Sequence, residues 1–255
     1  MAVVLIGGGR NGRNGRRYEM REIDDFIRSL TNVKHPKLVF IGWALVPLGE
    51  NQEYEFYEAT KNIYAALGCE VYCLEYKHFC SNTNESLNII NNADLVYFSG
   101  GDGRFLSEVI SKYRIKQFLK NYSMRPDKVI IGLSAGAIIL GSEGLSAVDY
   151  KYYGIDRPVP VAGINAIDAV IVPHFSKEEF RRNHMWIHLS QEENNKKIAL
   201  GIDDGCALVV IGNECKTICS LAEAKIHICK LKNGEPKQKN VLFNEYVDIS
   251  NLYLL

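Results

Sequence analysis

The chain has 255 residues, of which 47% are hydrophobic and 24% are charged, a composition typical of globular rather than disordered proteins. Thirty basic residues balance thirty acidic residues, whereas a nucleic-acid-binding protein is usually basic. No apolar run approaches the roughly 18 residues of a membrane span, and the start of the chain does not resemble a signal peptide. We therefore expect a soluble, cytoplasmic protein with neither a nucleic-acid nor a membrane partner.

Short apolar, β-branched runs recur along the chain, with amphipathic stretches between them. Strands are predicted at residues 3–6, 37–42, 70–76, 94–100, 128–134, 168–175, 198–204, 207–212 and 226–231. Helices are predicted at about 18–30, 54–67, 85–91 and 104–119. This alternation predicts a mainly parallel sheet covered by helices on both faces. The close spacing of the last strands predicts antiparallel hairpins, with a polar turn at 232–240 before a final edge strand.

The seven cysteines are odd in number, scattered, and without a CxxC pair. In a cytosolic chain of this size, that pattern predicts reduced thiols within the core rather than a disulfide framework. The chain has no internal repeat, no low-complexity tract and no linker long enough to separate domains. We therefore expect a single α/β domain over residues 1–255.

The strongest local motif is Gly-Leu-Ser-Ala-Gly at residues 132–136, which matches G-x-S-x-G. A predicted strand precedes it and an apolar helical stretch follows it, and this is the context in which the motif forms a nucleophile elbow. Glycines at 132 and 136 fit such a turn, because bulky side chains would clash where the backbone folds back. The motif makes Ser134 a candidate nucleophile, with a simple helix N-cap as the alternative.

A nucleophilic serine needs a base, and His174 is the best placed histidine because it ends a predicted strand. His184 and His188 are spaced to share a helix face, but without a third ligand they favour a packing or surface role over a metal site. The base in turn needs an orienting carboxylate. Sequence order alone does not decide among the candidates, which are Asp149, Asp156, Asp168, Asp203 and Asp204.

Two glycine clusters also follow predicted strands. The cluster at residues 100–103 would allow the close backbone approach that an oxyanion hole needs, although an ordinary glycine-rich turn is the simpler interpretation. The cluster at residues 7–12 fits G-x-G-x-x-G, but the acid that a dinucleotide site needs after the second strand is missing. The arginines of this loop could attract an anion or simply be solvated, and they are Arg10, Arg13, Arg16 and Arg17.

Five segments occur in one order along the chain: LIGGG, FSGGDGRFL, IGLSAGAIIL, VPHF and ALGIDDGCALVV. Together they resemble the serine peptidase family that contains aspartyl dipeptidase (peptidase E) and cyanophycinase, from residue 3 to about residue 212. The resemblance implies a fold like that of the class I glutamine amidotransferases. Such a fold is a three-layer α/β sandwich with a mainly parallel, flavodoxin-like sheet and a nucleophile elbow.

The resemblance also implies roles for individual residues. It makes Ser134 the nucleophile and His174 the general base. It further maps the oxyanion-hole donors onto Gly101 and Ala135, and we expect Asp102, in the same glycine cluster, to contact the substrate.

The third member of the triad maps onto Asp204, in a segment where the family often has glutamate. The shorter aspartate departs from that pattern, because it reaches about one methylene less far toward the imidazole. Asp149, in the loop after the nucleophile helix, is kept as the alternative.

The expected activity is hydrolysis of small peptides, especially dipeptides with an N-terminal aspartyl residue, through an acyl-enzyme and without a metal or organic cofactor. The alternative is a catalytically silent module that binds a ligand or a nucleotide. A substrate carboxylate would need a cationic partner. The arginines considered for that role are Arg10, Arg104, Arg157, Arg181 and Arg182.

Two features leave alternatives open. The stretch 146–160 is predicted to loop over the site, where Tyr150, Tyr152 and Tyr153 would either shape the pocket or pack on the surface. The helix at 54–67 fits a dimer interface as well as a place in the core, so a homodimer stays open.

Overall fold

The computed structural model describes residues 1–148, 154 and 157–254. The strands of the first half are β1 (Ala2–Ile6), β2 (Lys37–Ile41), β3 (Glu70–Cys73), β4 (Leu95–Phe98), β5 (Val129–Leu133), β6 (Gly141–Ser146) and β7 (Val159–Ala162). Those of the second half are β8 (Ile167–Pro173), β9 (Ala199–Ile202), β10 (Cys206–Ile211), β11 (Glu214–Cys219), β12 (Ile226–Lys232), β13 (Glu235–Val241) and β14 (Val247–Asp248). The α-helices are α1 (Arg21–Ser29), α2 (Gln52–Ala66), α3 (Tyr76–Ser81), α4 (Thr83–Asn92), α5 (Gly103–Lys112), α6 (Lys116–Ser123), α7 (Ala135–Leu140) and α8 (Glu179–Leu189).

The larger sheet has eight strands in the order β14-β11-β10-β1-β5-β4-β2-β3. Strands β1 to β5 run parallel, and β10, β11 and β14 extend the β1 side through antiparallel pairs. The parallel strands are continuous apolar runs because both faces of the sheet are covered. Their carboxyl ends share one edge, and β5 delivers residue 134 to that edge.

Side chains alternate between the two faces of this sheet, as the pleat requires. In β1, Val4 and Ile6 pack with Ile27 of α1 on one face. Val3 and Leu5 point to the opposite face, where they join the core beneath α3 to α7. The sheet is therefore sandwiched between two helical layers.

A second, six-stranded sheet has the order β13-β12-β9-β8-β6-β7. The buried helix α7 contacts strands of both sheets, and Leu5 and Ile171 belong to the same apolar core. On the other face of the second sheet, Val172 packs with Met185 of α8. Strands β8 and β9 are parallel neighbours, with Pro173 opposite Ile202. The residues just beyond their carboxyl ends are therefore close in space.

The predicted α/β class, with a mainly parallel sheet between helices, is confirmed, but several elements differ from the prediction. The helix expected at 104–119 is two helices, α5 and α6, with Arg114 between them at a φ of 55°. Strands β6 and β7 were not expected, and most of the polar stretch 232–240 is strand β13 rather than turn. Within the described residues, no helix is long and apolar enough to cross a membrane.

Candidate active site

Ser134 lies in the sharp turn between β5 and α7. Its backbone has φ 51° and ψ −104°, a conformation that costs energy in a non-glycine residue and is found mostly at functional sites. A Cβ on Gly132 would strike the backbone of Gly136, and a Cβ on Gly136 would strike the backbone of Phe98. Glycine at both positions is therefore what lets the chain fold back and present the serine hydroxyl at the sheet edge.

His174 follows β8 and also has a positive φ, of 55°. Its backbone N–H donates to the carbonyl of Gly7, 3.2 Å away, which ties the residue to the end of β1. The imidazole Nε2 lies 2.8 Å from Ser134 Oγ. The two side chains are 40 residues apart in the chain, and α7 packs against both of the strands that they follow, β5 and β8.

Asp204, two residues beyond the end of β9, hydrogen-bonds the other ring nitrogen of His174, Nδ1. Its second carboxylate oxygen accepts from Lys177 Nζ at 3.1 Å. Burial alone would raise the pKa of Asp204, but the hydrogen bond and charge of His174, with those of Lys177, hold that pKa at about 2. The carboxylate is thus ionised at neutral pH.

Gly8 explains how a short aspartate reaches the imidazole. It forms a bridge with Asp204, and its carbonyl accepts from the N–H of Gly205 at 2.8 Å. A Cβ on Gly8 would occupy the space now taken by the ring of His174 and the carboxylate of Asp204. Without that side chain, the two groups meet over the backbone of Gly8, just beyond β1.

The glycine cluster at residues 100–103 lies against Ser134. A Cβ built on Gly100 would sit 3.4 Å from Ser134 Cβ and 4.0 Å from its Oγ. Gly101 has a φ of 137°, and a Cβ there would strike the carbonyl of Ala44, so only glycine fits. Gly101 and Ala135, the predicted oxyanion-hole residues, both line the cavity onto which Ser134 opens.

Asp102 does not occupy the position expected of a substrate contact. It is 2% exposed, it is absent from the described residues that line the cavity, and its carboxylate caps α5 by accepting from the N–H of Phe105 at 3.0 Å. An aspartate at a strand-to-helix turn is a favoured N-cap, because it satisfies a free N–H of the first helical turn. Asp149, the alternative acid, lies outside the described residues, as do Tyr150, Tyr152 and Tyr153.

The cavity beside Ser134 has a volume of about 330 Å³. Its apolar part comes from Leu45, Leu48 and Phe56, among others, and no aspartate or glutamate is present among the described lining residues. Four arginines line it, namely Arg10, Arg13, Arg16 and Arg181. The other arginines considered from the sequence, Arg104, Arg157 and Arg182, are not among the described lining residues.

In the sequence, Arg13 and Arg16 belong to a basic loop that either attracts an anion or is simply solvated, and neither was among the arginines considered for the substrate carboxylate. The run GGGRNGRNGRR directly after β1 is the signal that could have placed them at the site, because the ends of parallel strands form the site edge. The loop lines the cavity at that edge, and α1 begins only at Arg21.

The paired histidines of α8 contribute to packing. His188 is buried and lies 2.9 Å from Glu143 Oε1, while His184 Nδ1 contacts the carbonyl of Phe180 at 2.8 Å. Among the described residues, no three His, Cys, Asp or Glu side chains converge as a metal site would require.

Comparison with known proteins places this geometry in a wider context. A family model described as peptidase family S51 matches residues 3–218. A peptidase from an acI-B1 actinobacterium is similar in structure, with a TM-score of 0.70 and 21% identity, over 97% of this chain and 96% of its own. A protein from Listeria monocytogenes, provisionally assigned as peptidase E, has a TM-score of 0.57 and 18% identity over 85% of this chain and 96% of its own. No curated protein sequence matches this chain.

Proposed function

The chain belongs to peptidase family S51, and from that premise we propose that this serine peptidase hydrolyses dipeptides with an N-terminal aspartyl residue. The nucleophile in this proposal is Ser134, the general base is His174 and the third triad member is Asp204. The cationic lining of the cavity supports an acidic substrate, since arginine pairs well with carboxylate groups.

The observation that carries the mechanism is the hydrogen-bonded row from Ser134 Oγ through the two ring nitrogens of His174 to Asp204. A neutral imidazole with its proton on Nδ1 donates to Asp204 and accepts from the serine hydroxyl through Nε2. As Ser134 Oγ attacks the peptide carbonyl, Nε2 takes its proton, and the ionised Asp204 stabilises the resulting imidazolium.

The remaining steps follow from the same groups. The tetrahedral oxyanion is received by the backbone N–H groups of Gly101 and Ala135. His174 then gives its proton to the leaving amine, the C–N bond breaks, and the acyl group remains as an ester on Ser134. A water molecule gives a proton to His174 and attacks that ester; the C–O bond breaks, His174 returns the proton to Ser134 Oγ, and the acid is released.

We further propose a cytoplasmic location. All seven cysteines are free thiols, although Cys206 Sγ and Cys219 Sγ lie only 3.1 Å apart on paired strands. An odd number of scattered cysteines without a CxxC pair is typical of a chain from a reducing compartment. Detection of the protein with a cytoplasmic marker after cell fractionation would support this location, and detection with secreted proteins would contradict it.

The function is tested by incubating the protein with Asp-Leu, Glu-Leu, Ala-Leu and β-aspartyl-arginine, and by measuring released amino acids. We expect Asp-Leu to be cleaved fastest. Ser134→Ala should remove all cleavage above the background rate while the melting temperature stays close to that of the wild type. Full activity in Ser134→Ala would contradict the mechanism, and a preference for Ala-Leu would contradict the substrate class.

A further inference from the structure

Two of the four arginines that line the cavity are engaged elsewhere. Arg181 is 4% exposed, and its Nη2 lies 2.8 Å from Glu178 Oε2 while its Nη1 donates to the carbonyl of Pro173 at 3.1 Å. Arg10 is exposed and lies 3.7 Å from Glu19 Oε1. Arg181 Nε is also buried without a hydrogen-bond partner, but both of these guanidinium groups are paired with a glutamate. Neither guanidinium is fully available to a ligand.

Arg13 differs from both with respect to ion pairing. Its guanidinium carbon lies 3.3 Å from the centroid of the Phe56 ring, so the cation stacks on an aromatic face. Its Nη1 is buried and has no hydrogen-bond partner, and no carboxylate of the described residues is within ion-pairing distance. Burial lowers the pKa of Arg13, Glu55 raises it and Arg16 lowers it, yet an arginine remains charged at neutral pH.

A buried, charged N–H group without an acceptor is costly, because it has lost water and gained nothing in exchange. A ligand that supplies an acceptor to this group removes that cost. The ligand best matched to a guanidinium is a carboxylate, which accepts two parallel hydrogen bonds from it. Arg13 also borders a second pocket, with Glu55 and Glu58, but the described lining of the cavity beside Ser134 carries no acid that would compete with a substrate carboxylate.

The loop that carries Arg13 is closed at its base. Asn11 forms an antiparallel bridge with Tyr18, and the N–H of Glu19 donates to the carbonyl of Arg10 at 2.8 Å. Within the loop, residues 13–15 form a short 3-10 turn that begins after Gly12, whose φ is 80°. The turn aims Arg13 inward, onto Phe56, whereas Arg16 and Arg17 are exposed.

We propose that Arg13 is the specificity-determining residue of this site and binds a carboxylate of the substrate. This inference rests on the proposed function, because it concerns the same cavity and names the residue that selects an acidic dipeptide. An aspartyl dipeptide has two carboxylates, one on the side chain and one at the C terminus, and the experiments below separate them.

The kinetic test compares Arg13→Gln with Arg17→Gln, which removes the same charge from an exposed position in the same loop that does not line the cavity. On Asp-Leu, Arg13→Gln should lower kcat/KM about 10- to 100-fold, mainly through KM, because a charge-assisted hydrogen bond is lost. Arg13→Lys should be intermediate, since it keeps the charge but not the planar fork. Arg17→Gln should match the wild type. Equal rates in Arg13→Gln and wild type would overturn the proposal.

The binding test uses Ser134→Ala, which holds uncleaved ligand, with and without Arg13→Gln. Calorimetric titration with Asp-Leu, Asn-Leu and Asp-Leu amide forms a double-mutant cycle for each carboxylate. The carboxylate that pairs with Arg13 is the one whose removal weakens binding in Ser134→Ala but has no further effect once Arg13 is also replaced. Full additivity for both carboxylates would overturn the proposal.

A third measurement separates this inference from the proposed function. Succinate carries carboxylates but no scissile bond, and it can be titrated into the wild type, Arg13→Gln and Arg17→Gln. If no dipeptide is cleaved, yet succinate binding is lost in Arg13→Gln alone, the peptidase assignment fails and the carboxylate site stands. If succinate does not bind, or binds Arg13→Gln as well as the wild type, the site fails whatever the fate of the peptidase assignment.

Discussion

Asp203 and Asp204 are consecutive residues, and each carboxylate binds a histidine that also lies near a serine. Asp204 binds His174, whose partner is Ser134; Asp203 Oδ2 lies 3.0 Å from His227 Nε2. In the second pair, Ser176 Oγ is 3.3 Å from that same Nε2 atom. The two constellations have similar composition and adjoin each other, but their geometry differs in two ways.

The first difference is which ring nitrogen each group contacts. At His174 the serine and the carboxylate bind opposite nitrogens, so the ring can take a proton from one side while the other side stabilises its charge. At His227 the serine and the carboxylate share Nε2, and Nδ1 faces Asn240 Oδ1 at 2.9 Å. Because both groups contact the same nitrogen, the ring cannot take a proton from the serine on one side while the carboxylate stabilises its charge on the other.

The second difference is access. His227 is 4% exposed and stacks on Phe175, with the ring centroids 4.4 Å apart, whereas His174 lines the cavity. Asp203 also accepts from the backbone N–H groups of Ser176 at 3.0 Å and Lys225 at 3.2 Å. It therefore joins the segment after His174 to the strand that packs beside β9. The Asp204–His174 pair is placed for catalysis, and the Asp203–His227 pair holds the neighbouring segments in position.

The largest effect expected from this comparison is on catalysis in Asp204→Asn. The amide cannot stabilise the imidazolium and favours the wrong tautomer, so kcat on Asp-Leu should fall by about 10³- to 10⁴-fold. The melting temperature should change little, because the side chain is partly exposed. Steady-state kinetics with thermal unfolding on the same preparation checks both. A kcat within tenfold of the wild type would shift the third triad role to another acid, with Asp149 the first to examine.

Asp203→Asn, in contrast, should affect stability more than catalysis. Loss of a buried charge that pairs with His227 and accepts from two backbone N–H groups should lower the free energy of unfolding by about 2 to 4 kcal/mol. The reduction in kcat should stay below about tenfold at a temperature where the variant is folded. Urea unfolding followed by kinetics separates the two quantities. The comparison breaks down if Asp203→Asn is as stable as the wild type and as inactive as Asp204→Asn.

Much of the fold could be predicted because buried parallel strands are continuous apolar runs. The strands of the central sheet stand out in the sequence for this reason. Strand β6, with the sequence GSEGLS, has no such run and was missed. The break between α5 and α6 was also missed, because it depends on a single residue, Arg114, in the left-handed region.

The site residues that their sequence neighbours identify could be predicted. Those that depend on tertiary contacts could not. Ser134 stands in a motif whose neighbours explain it, and His174 ends a strand. The acid could not be chosen from order along the chain, because Asp204 is brought to His174 by the pairing of β8 with β9 and by the missing side chain of Gly8. Arg13 gave no local signal beyond the charge of its loop, since its significance lies in its contact with Phe56.

The smallest expected effect concerns acid stability. The folded pKa of Asp204, about 2, lies below its ordinary value of 3.8. A depressed carboxyl pKa stabilises the folded state above the ordinary value, and that stability is lost as the pH falls through the folded value. The stability that Asp204 provides relative to Asp204→Asn should therefore disappear between about pH 4 and pH 2. Because the group is partly exposed, its size is on the order of 1 kcal/mol.

Urea unfolding of the wild type and both asparagine variants at pH 5 and pH 2.5 measures this dependence. The pKa of Asp203 is also lowered, because the hydrogen bonds from His227 and Ser176 outweigh the raising effect of burial, so Asp203→Asn should weaken the acid dependence in the same direction. Asp204 should account for more of the acid-sensitive stability than Asp203, because its pKa is lowered further below the ordinary value. If Asp203→Asn instead removes the larger share, the carboxylate of Asp203 is the more strongly stabilised of the two in the folded state, and the order drawn from their pKa shifts is wrong.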